Sequence, residues 1–210
     1  MKWAQHKKTG FTIVELLIVI VVIAILASIT IVAYNGIQNQ ATESSVKSEL
    51  SQNVKKVMAA AVTSSSSRYA TTDVMSGGSA VPQADLSRYK VLTYCTNGTD
   101  FVFAAETKAG KKYYAKSGST VISDDSIDAF LPCPGQGVSG AYTTYMNLPT
   151  ACATENTTCT FSGTATVVYG SAAQGRFNRL LNQTGSVGCN NSTFTDPASG
   201  YGKACYVYPN

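Results

Sequence analysis

Histidine is nearly missing from this chain: among 210 residues there is one, His6. Removal of the first ten residues would leave none. Serine–histidine and cysteine–histidine catalytic pairs, and histidine-ligated metal sites, then lose their usual base or ligand. Charge is scarce too. Asp, Glu, Lys and Arg make up 13% of the residues, about half of the roughly 25% usual in globular domains. That excludes a highly charged disordered tail, and the polar surface must come from Ser, Thr, Asn, Gln and Gly. No CxxC pair, EF-hand spacing or P-loop occurs. No acid–base pair stands out. The chain is read as a non-enzyme with no cofactor and no metal site.

The positive charge is unevenly placed. Lys2, Lys7 and Lys8 precede the first apolar run, and without them 13 basic residues face 12 acidic ones. A balance of +1 gives no general attraction for nucleic acid. Basic residues ahead of an apolar segment instead set membrane orientation, with the N-terminus in the cytoplasm and the rest outside.

That segment covers residues 11–34, FTIVELLIVIVVIAILASITIVAY. At helical rise it spans roughly 36 Å, enough to cross a hydrocarbon core of about 30 Å. Its β-branched content would suit a buried strand, but such strands run only about 4–8 residues. A secretory signal peptide is the competing reading. Its apolar region is about 7–15 residues long, shorter than this one. One charge interrupts the run, Glu15. A carboxylate at membrane depth is costly and wants a cationic partner.

The run KKTG followed by FTIVELL resembles the prepilin signature of type IV pilins and the related pseudopilins. The matching elements are Lys7, Lys8, Gly10, Phe11 and Glu15, and the resemblance covers about the first 60 residues. It implies leader cleavage between Gly10 and Phe11 by a prepilin peptidase, and N-methylation of Phe11. It further implies subunit assembly through Phe11 and Glu15. Cleavage creates an ammonium on Phe11, and axial stacking brings the Glu15 carboxylate of one subunit to the Phe11 ammonium of another. Each charge then offsets the other's desolvation.

Beyond Tyr34 the apolar residues thin to a stripe: Ile37, Ala41, Val46, Leu50, Val54, Val57, Met58 and Ala61. Steps of three and four residues predict an amphipathic helix. The first proline is Pro82, so one helix is expected over residues 11–62, with 11–34 transmembrane. Serine tracts at 64–67 and 76–79 predict a surface loop.

The runs 92–94, 101–106 and 112–116, separated by Asn97-Gly98 and Ala109-Gly110, predict an antiparallel meander. It gathers Lys108, Lys111, Lys112 and Lys116 around Tyr113 and Tyr114. Such a cluster suits DNA, or, as the favoured reading, an edge strand guarded by lysine. Asp124, Asp125 and Asp128 are expected to cap a short helical turn at 127–131 rather than to bind calcium. After Pro134 and Gly135 come four short strand-like runs: 164–169, 176–181, 186–189 and 203–208. Cys95, Cys133, Cys152, Cys159, Cys189 and Cys205 are candidates for disulfides in an oxidising exterior, with the pairing left open. Tyr142, Tyr145, Tyr169, Tyr201, Tyr206 and Tyr208 offer a sugar platform, though most are expected in the core.

The expected fold is α+β and pilin-like. A long N-terminal helix, transmembrane in its first half, packs on an antiparallel sheet, and a disulfide-rich β module follows. The expected divisions are a leader (1–10), the helix (11–62), a β-sheet head (63–135) and a cysteine-containing β module (136–210). The expected function is that of a structural subunit of a type IV pilus-like filament supporting adhesion, motility or DNA uptake. The alternatives are a tip adhesin binding a glycan or surface, and a pseudopilin of a type II secretion system. The implied partners are further copies of the chain in a helical filament, the inner membrane before assembly, the prepilin peptidase, an assembly ATPase and a platform protein. A glycan or surface is the further target, and DNA the weaker one. Before assembly the chain is a single-pass membrane protein; afterwards it lies in an extracellular pilus.

Overall fold

Unbroken apolar sequence without proline leaves the backbone free to satisfy its own hydrogen bonds as a helix, and α1 spans Ile13–Thr63. The computed structural model describes residues 12–63, 68–69 and 86–210. Gly10, Phe11 and the serine tracts at 64–67 and 76–79 lie outside the described residues. The chain forms two compact units, 1–44 and 45–210.

In the first unit α1 is long and apolar enough to cross a membrane. Its large side chains, from Ile13 through Leu26 to Ile31, are exposed within the chain. The Ser28 and Thr30 hydroxyls donate to the carbonyls of Ile25 and Ala27, at 2.7 and 2.9 Å. Their polarity is thus answered inside the helix, as an apolar environment demands. Ile37, assigned above to the packing stripe, is 64% exposed.

In the second unit the stripe narrows to Val46, Leu50, Val54, Val57 and Ala61, all buried, while Met58 stays 39% exposed. The first four pack with Tyr89, Leu92, Tyr94, Phe101, Phe103 and Tyr113 in one core. Asn53 is fully buried on the same helix, a polar residue that periodicity did not single out. Glu49 fastens helix to sheet: one carboxylate oxygen takes Arg88 Nη1 at 2.7 Å, the other the Tyr89 hydroxyl at 2.6 Å.

Across its width the first sheet runs Ile122–Ser123, Lys112–Lys116, Phe101–Thr107, Tyr89–Thr96 and Tyr142–Tyr145. β1 (Tyr89–Thr96), β2 (Phe101–Thr107) and β3 (Lys112–Lys116) form the meander the spacing predicts. β4 (Ile122–Ser123) extends it, and β5 (Tyr142–Tyr145) returns to pair with β1 on the far side. Gly98 takes φ +89° in the β1–β2 connection, a conformation that costs glycine least. β1 is buried almost throughout. Tyr94 and Leu92 face the helix core, while Val91 packs with Phe130, Val168, Phe177 and Tyr208. A second sheet therefore covers the face that would otherwise be wet.

That second sheet runs β6-β9-β7-β8: β6 (Ala153–Thr154), β7 (Thr157–Ser171), β8 (Arg176–Cys189) and β9 (Ala204–Pro209). The runs 176–181 and 186–189, read separately from the sequence, are one 14-residue strand. The intervening turn residues are absorbed as irregularities, not ends. Register shifts fall between Thr160 and Thr164 and between Ala165 and Val167, where Gly163, Gly185 and Asn182 adopt positive φ. At Gly170 an added Cβ would collide with the Arg176 carbonyl and Phe177 across the ladder, so only glycine fits there.

The cysteines pair as Cys95–Cys133, Cys152–Cys159 and Cys189–Cys205, with Cα separations of 6.0, 5.4 and 5.8 Å. The first ties β1 to a helical turn at Pro132–Gly135. The expected helical turn at 127–131 does not form. Asp124 Oδ1 instead accepts the Ser126 N–H and hydroxyl. Asp128 Oδ1 accepts the N–H groups of Phe130 and Leu131 at 3.0 and 3.2 Å, while its Oδ2 holds Arg179. Both carboxylates are engaged in turns, which compete with helix for the same donors.

Candidate assembly site and head surfaces

The start of α1 is closed by a reciprocal pair. Glu15 N–H donates to Thr12 Oγ1 at 3.2 Å. Glu15 Oε2 accepts both the Thr12 N–H and its hydroxyl, each at 2.9 Å. This is a capping box, T-x-x-E, which satisfies donors that the first helical turn leaves open. A negative charge there also matches the positive end of the helix dipole. The signal for this cap is the T-x-x-E spacing from Thr12 to Glu15 in the sequence. Gly10 and Phe11 lie outside the described residues, so Glu15 is described through its own cap alone.

The acidic run lies beside the lysine cluster on the meander and pairs with Lys111 of it. Lys111 Nζ lies 3.1 Å from Asp125 Oδ2, and Asp125 Oδ1 accepts the Lys112 N–H at 3.3 Å. Hydrogen bonds from Lys111 and from the Lys112 backbone hold the Asp125 carboxyl below its ordinary range. Those from Ser126 do the same for Asp124. Tyr113 is buried in the helix–sheet core and Tyr114 is half-buried. Among the described residues no open aromatic face accompanies these lysines, so a platform for stacked bases is missing there; nor is β3 the expected edge strand, because β4 pairs with it at Tyr113 and Tyr114. Among the described residues no group of three or more His, Cys, Asp or Glu side chains is placed to hold a metal ion.

Half of the tyrosine platform is core, and Tyr142 and Tyr206 are half-buried. Tyr145, Tyr169 and Tyr208 are buried, and Tyr201 is 53% exposed. Burial pushes the phenols of Tyr94, Tyr145, Tyr169 and Tyr208 above their ordinary value. At Tyr169, hydrogen bonding to Glu155 adds to this. One buried cation went unnoticed in the sequence because it sits in a strand-like run. Lys203 Nζ meets Glu155 at 3.1 Å, Asp196 at 3.3 Å and the carbonyls of Ala198 and Tyr201 at 3.2 and 3.1 Å. Burial opposes its charge, but the bonds to Glu155 and Asp196 outweigh that and its pKa is raised.

A pH dependence follows. The folded chain keeps protons on these phenols and on Lys203 that the unfolded chain would release. Their contribution is complete below the ordinary tyrosine value of about 10 and is lost as pH rises through the raised values. The thermal midpoint is expected to fall above pH ~10, with tyrosinate absorbance from these residues appearing together with unfolding. Full tyrosinate absorbance from a still-folded chain would contradict this.

Residues 5–31 match the family model described as the prokaryotic N-terminal methylation motif, the type IV prepilin signature. Comparison with curated proteins gave no match, and comparison with solved structures gave none. The motif supports a protein of the type IV pilin or pseudopilin type. With its apolar helix, antiparallel sheets and disulfides, the chain has an α+β, pilin-like layout. Motif and helix together support anchoring in a membrane before assembly.

Proposed function

We propose that this chain is a structural subunit of a type IV pilus-like extracellular filament. It is cleaved between Gly10 and Phe11, methylated on Phe11, and polymerised through its apolar helix with Glu15 pairing to a neighbour's Phe11 ammonium. The observation that carries this reading is a lone carboxylate at the head of a membrane-length apolar helix, inside a methylation motif. Such a helix, whose large apolar side chains from Ile13 to Ile31 are exposed within one chain, needs lipid first and other copies afterwards. Prepilin peptidase, an assembly ATPase and a platform protein supply processing and work, since the sequence holds no P-loop. The mature N-terminus is the test. Mass spectrometry is expected to find a chain that starts at methylated Phe11; a start near Ser28 would overturn the proposal.

The β6–β9 sheet favours a second reading, a scarce tip subunit with an adhesive head. Sheared fibres separate the two: a main subunit dominates them, a tip subunit is rare, and a secretion pseudopilin is missing from them.

A further inference from the structure

Between the loop 134–141 and the start of β8 lies a cleft of about 530 Å³, within the roughly 300–1,000 Å³ of small-molecule sites. Leu131, Val138, Phe177 and Pro197 give it apolar walls. Among the described residues no aspartate or glutamate lines it, and Arg176 is the one ionisable side chain that does.

Arg176 is fixed without being neutralised. Its Nη1 donates to the Ala141 carbonyl at 2.7 Å, and its guanidinium carbon stands 4.3 Å from the Tyr142 ring centroid. Both tethers are uncharged. Among the described residues no carboxylate lies within ion-pair distance of it, whereas Arg88 holds Glu49 and Arg179 holds Asp128. A guanidinium carries five N–H donors in a planar fork. Stacking occupies its face, and one carbonyl leaves most of its edge unused.

The rim is held and open. Cys133, part of the wall, is tied to β1 through Cys95, which limits the ordering cost of binding. Gly137 and Gly140 on the rim have φ of +76° and +65°, and a Cβ at either would meet nothing within 4 Å.

We propose that this cleft binds a small carboxylate with an apolar body, anchored by Arg176. The walls take the body. The guanidinium edge takes the carboxylate in a charge-assisted pair, which gains strength where water is sparse. A neutral isostere loses that pair and leaves the walls' contribution alone. The inference goes beyond the filament reading and does not rest on it, because the cleft belongs to the head whatever the chain assembles into.

The test uses the detergent-solubilised full chain, with benzoate and its neutral isostere benzamide as probes. Methyl-selective NMR follows Leu131 and Val138, which keeps the readout at the cleft and away from the micelle. Benzoate is expected to shift these resonances saturably, with benzamide weaker by about tenfold or more. In Arg176→Gln, benzoate is expected to fall to the level of benzamide, while Arg176→Lys retains part of the preference. Equal binding of both probes, or no shift by either, overturns the proposal. Should Arg176→Gln fail to fold, the benzoate-to-benzamide comparison on the unaltered chain still decides it.

Discussion

Alanine in place of Glu15 is expected to remove this chain from surface filaments while leaving its amount in the membrane unchanged. The helix keeps its length and apolarity, so insertion does not depend on the carboxylate. Two interactions go. The capping box loses its acceptor for the Thr12 N–H and hydroxyl, and in the proposed filament the neighbour's Phe11 ammonium loses its counter-charge. The second loss matters more, because it leaves an uncompensated charge at an apolar joint, repeated at every subunit. Assembled chain in sheared fibres is expected to drop about tenfold or more, read by immunoblot against the membrane fraction. Glu15→Gln separates the two roles. Its amide oxygen can still accept from Thr12, but its charge is gone. Wild-type filament yield from Glu15→Gln would show that capping suffices and would end the charge-pair account.

Removing the bond between Cys95 and Cys133 is expected to have the largest effect on stability. The two cysteines are 38 residues apart, against 16 for Cys189–Cys205 and 7 for Cys152–Cys159. Loop-closure entropy then gives about 4, 3 and 2.4 kcal/mol in that order. Cys95 and Cys133 are also almost fully buried, and the bond fixes the helical turn Pro132–Gly135 on β1. The Cys95→Ser/Cys133→Ser chain is expected to melt roughly 8–16 °C lower, by circular dichroism of the solubilised protein. A smaller loss than that of the Cys152→Ser/Cys159→Ser chain would refute the ordering.

The parts of this molecule legible in the sequence are those governed by local pattern. Residues 13–31 admit only a helix in lipid, and Val46, Leu50, Val54 and Val57 repeat at helical steps. Asn97-Gly98 and Ala109-Gly110 mark the meander turns. What escaped depends on distant partners. β1 loses its wet face because β7 to β9 fold over it. Gly185 and Asn182, which read as strand ends, are held inside β8 by pairing with β7. Lys203 looks like a surface lysine until Glu155 and Asp196 are brought to it. Arg176 carries no local sign of its setting, since the absence of a carboxylate beside it among the described residues is a property of the finished cleft. Cysteine pairing escaped for the same reason.

A peptide bond cut anywhere from 96 to 132 leaves both fragments joined through Cys95 and Cys133. The same holds inside 153–158 and 190–204 for the two smaller rings. Proteolytic nicks in these windows go unseen on a gel until reductant is added. In the proposed fibre, a subunit nicked in these windows keeps its fragments covalently joined after its backbone has been severed.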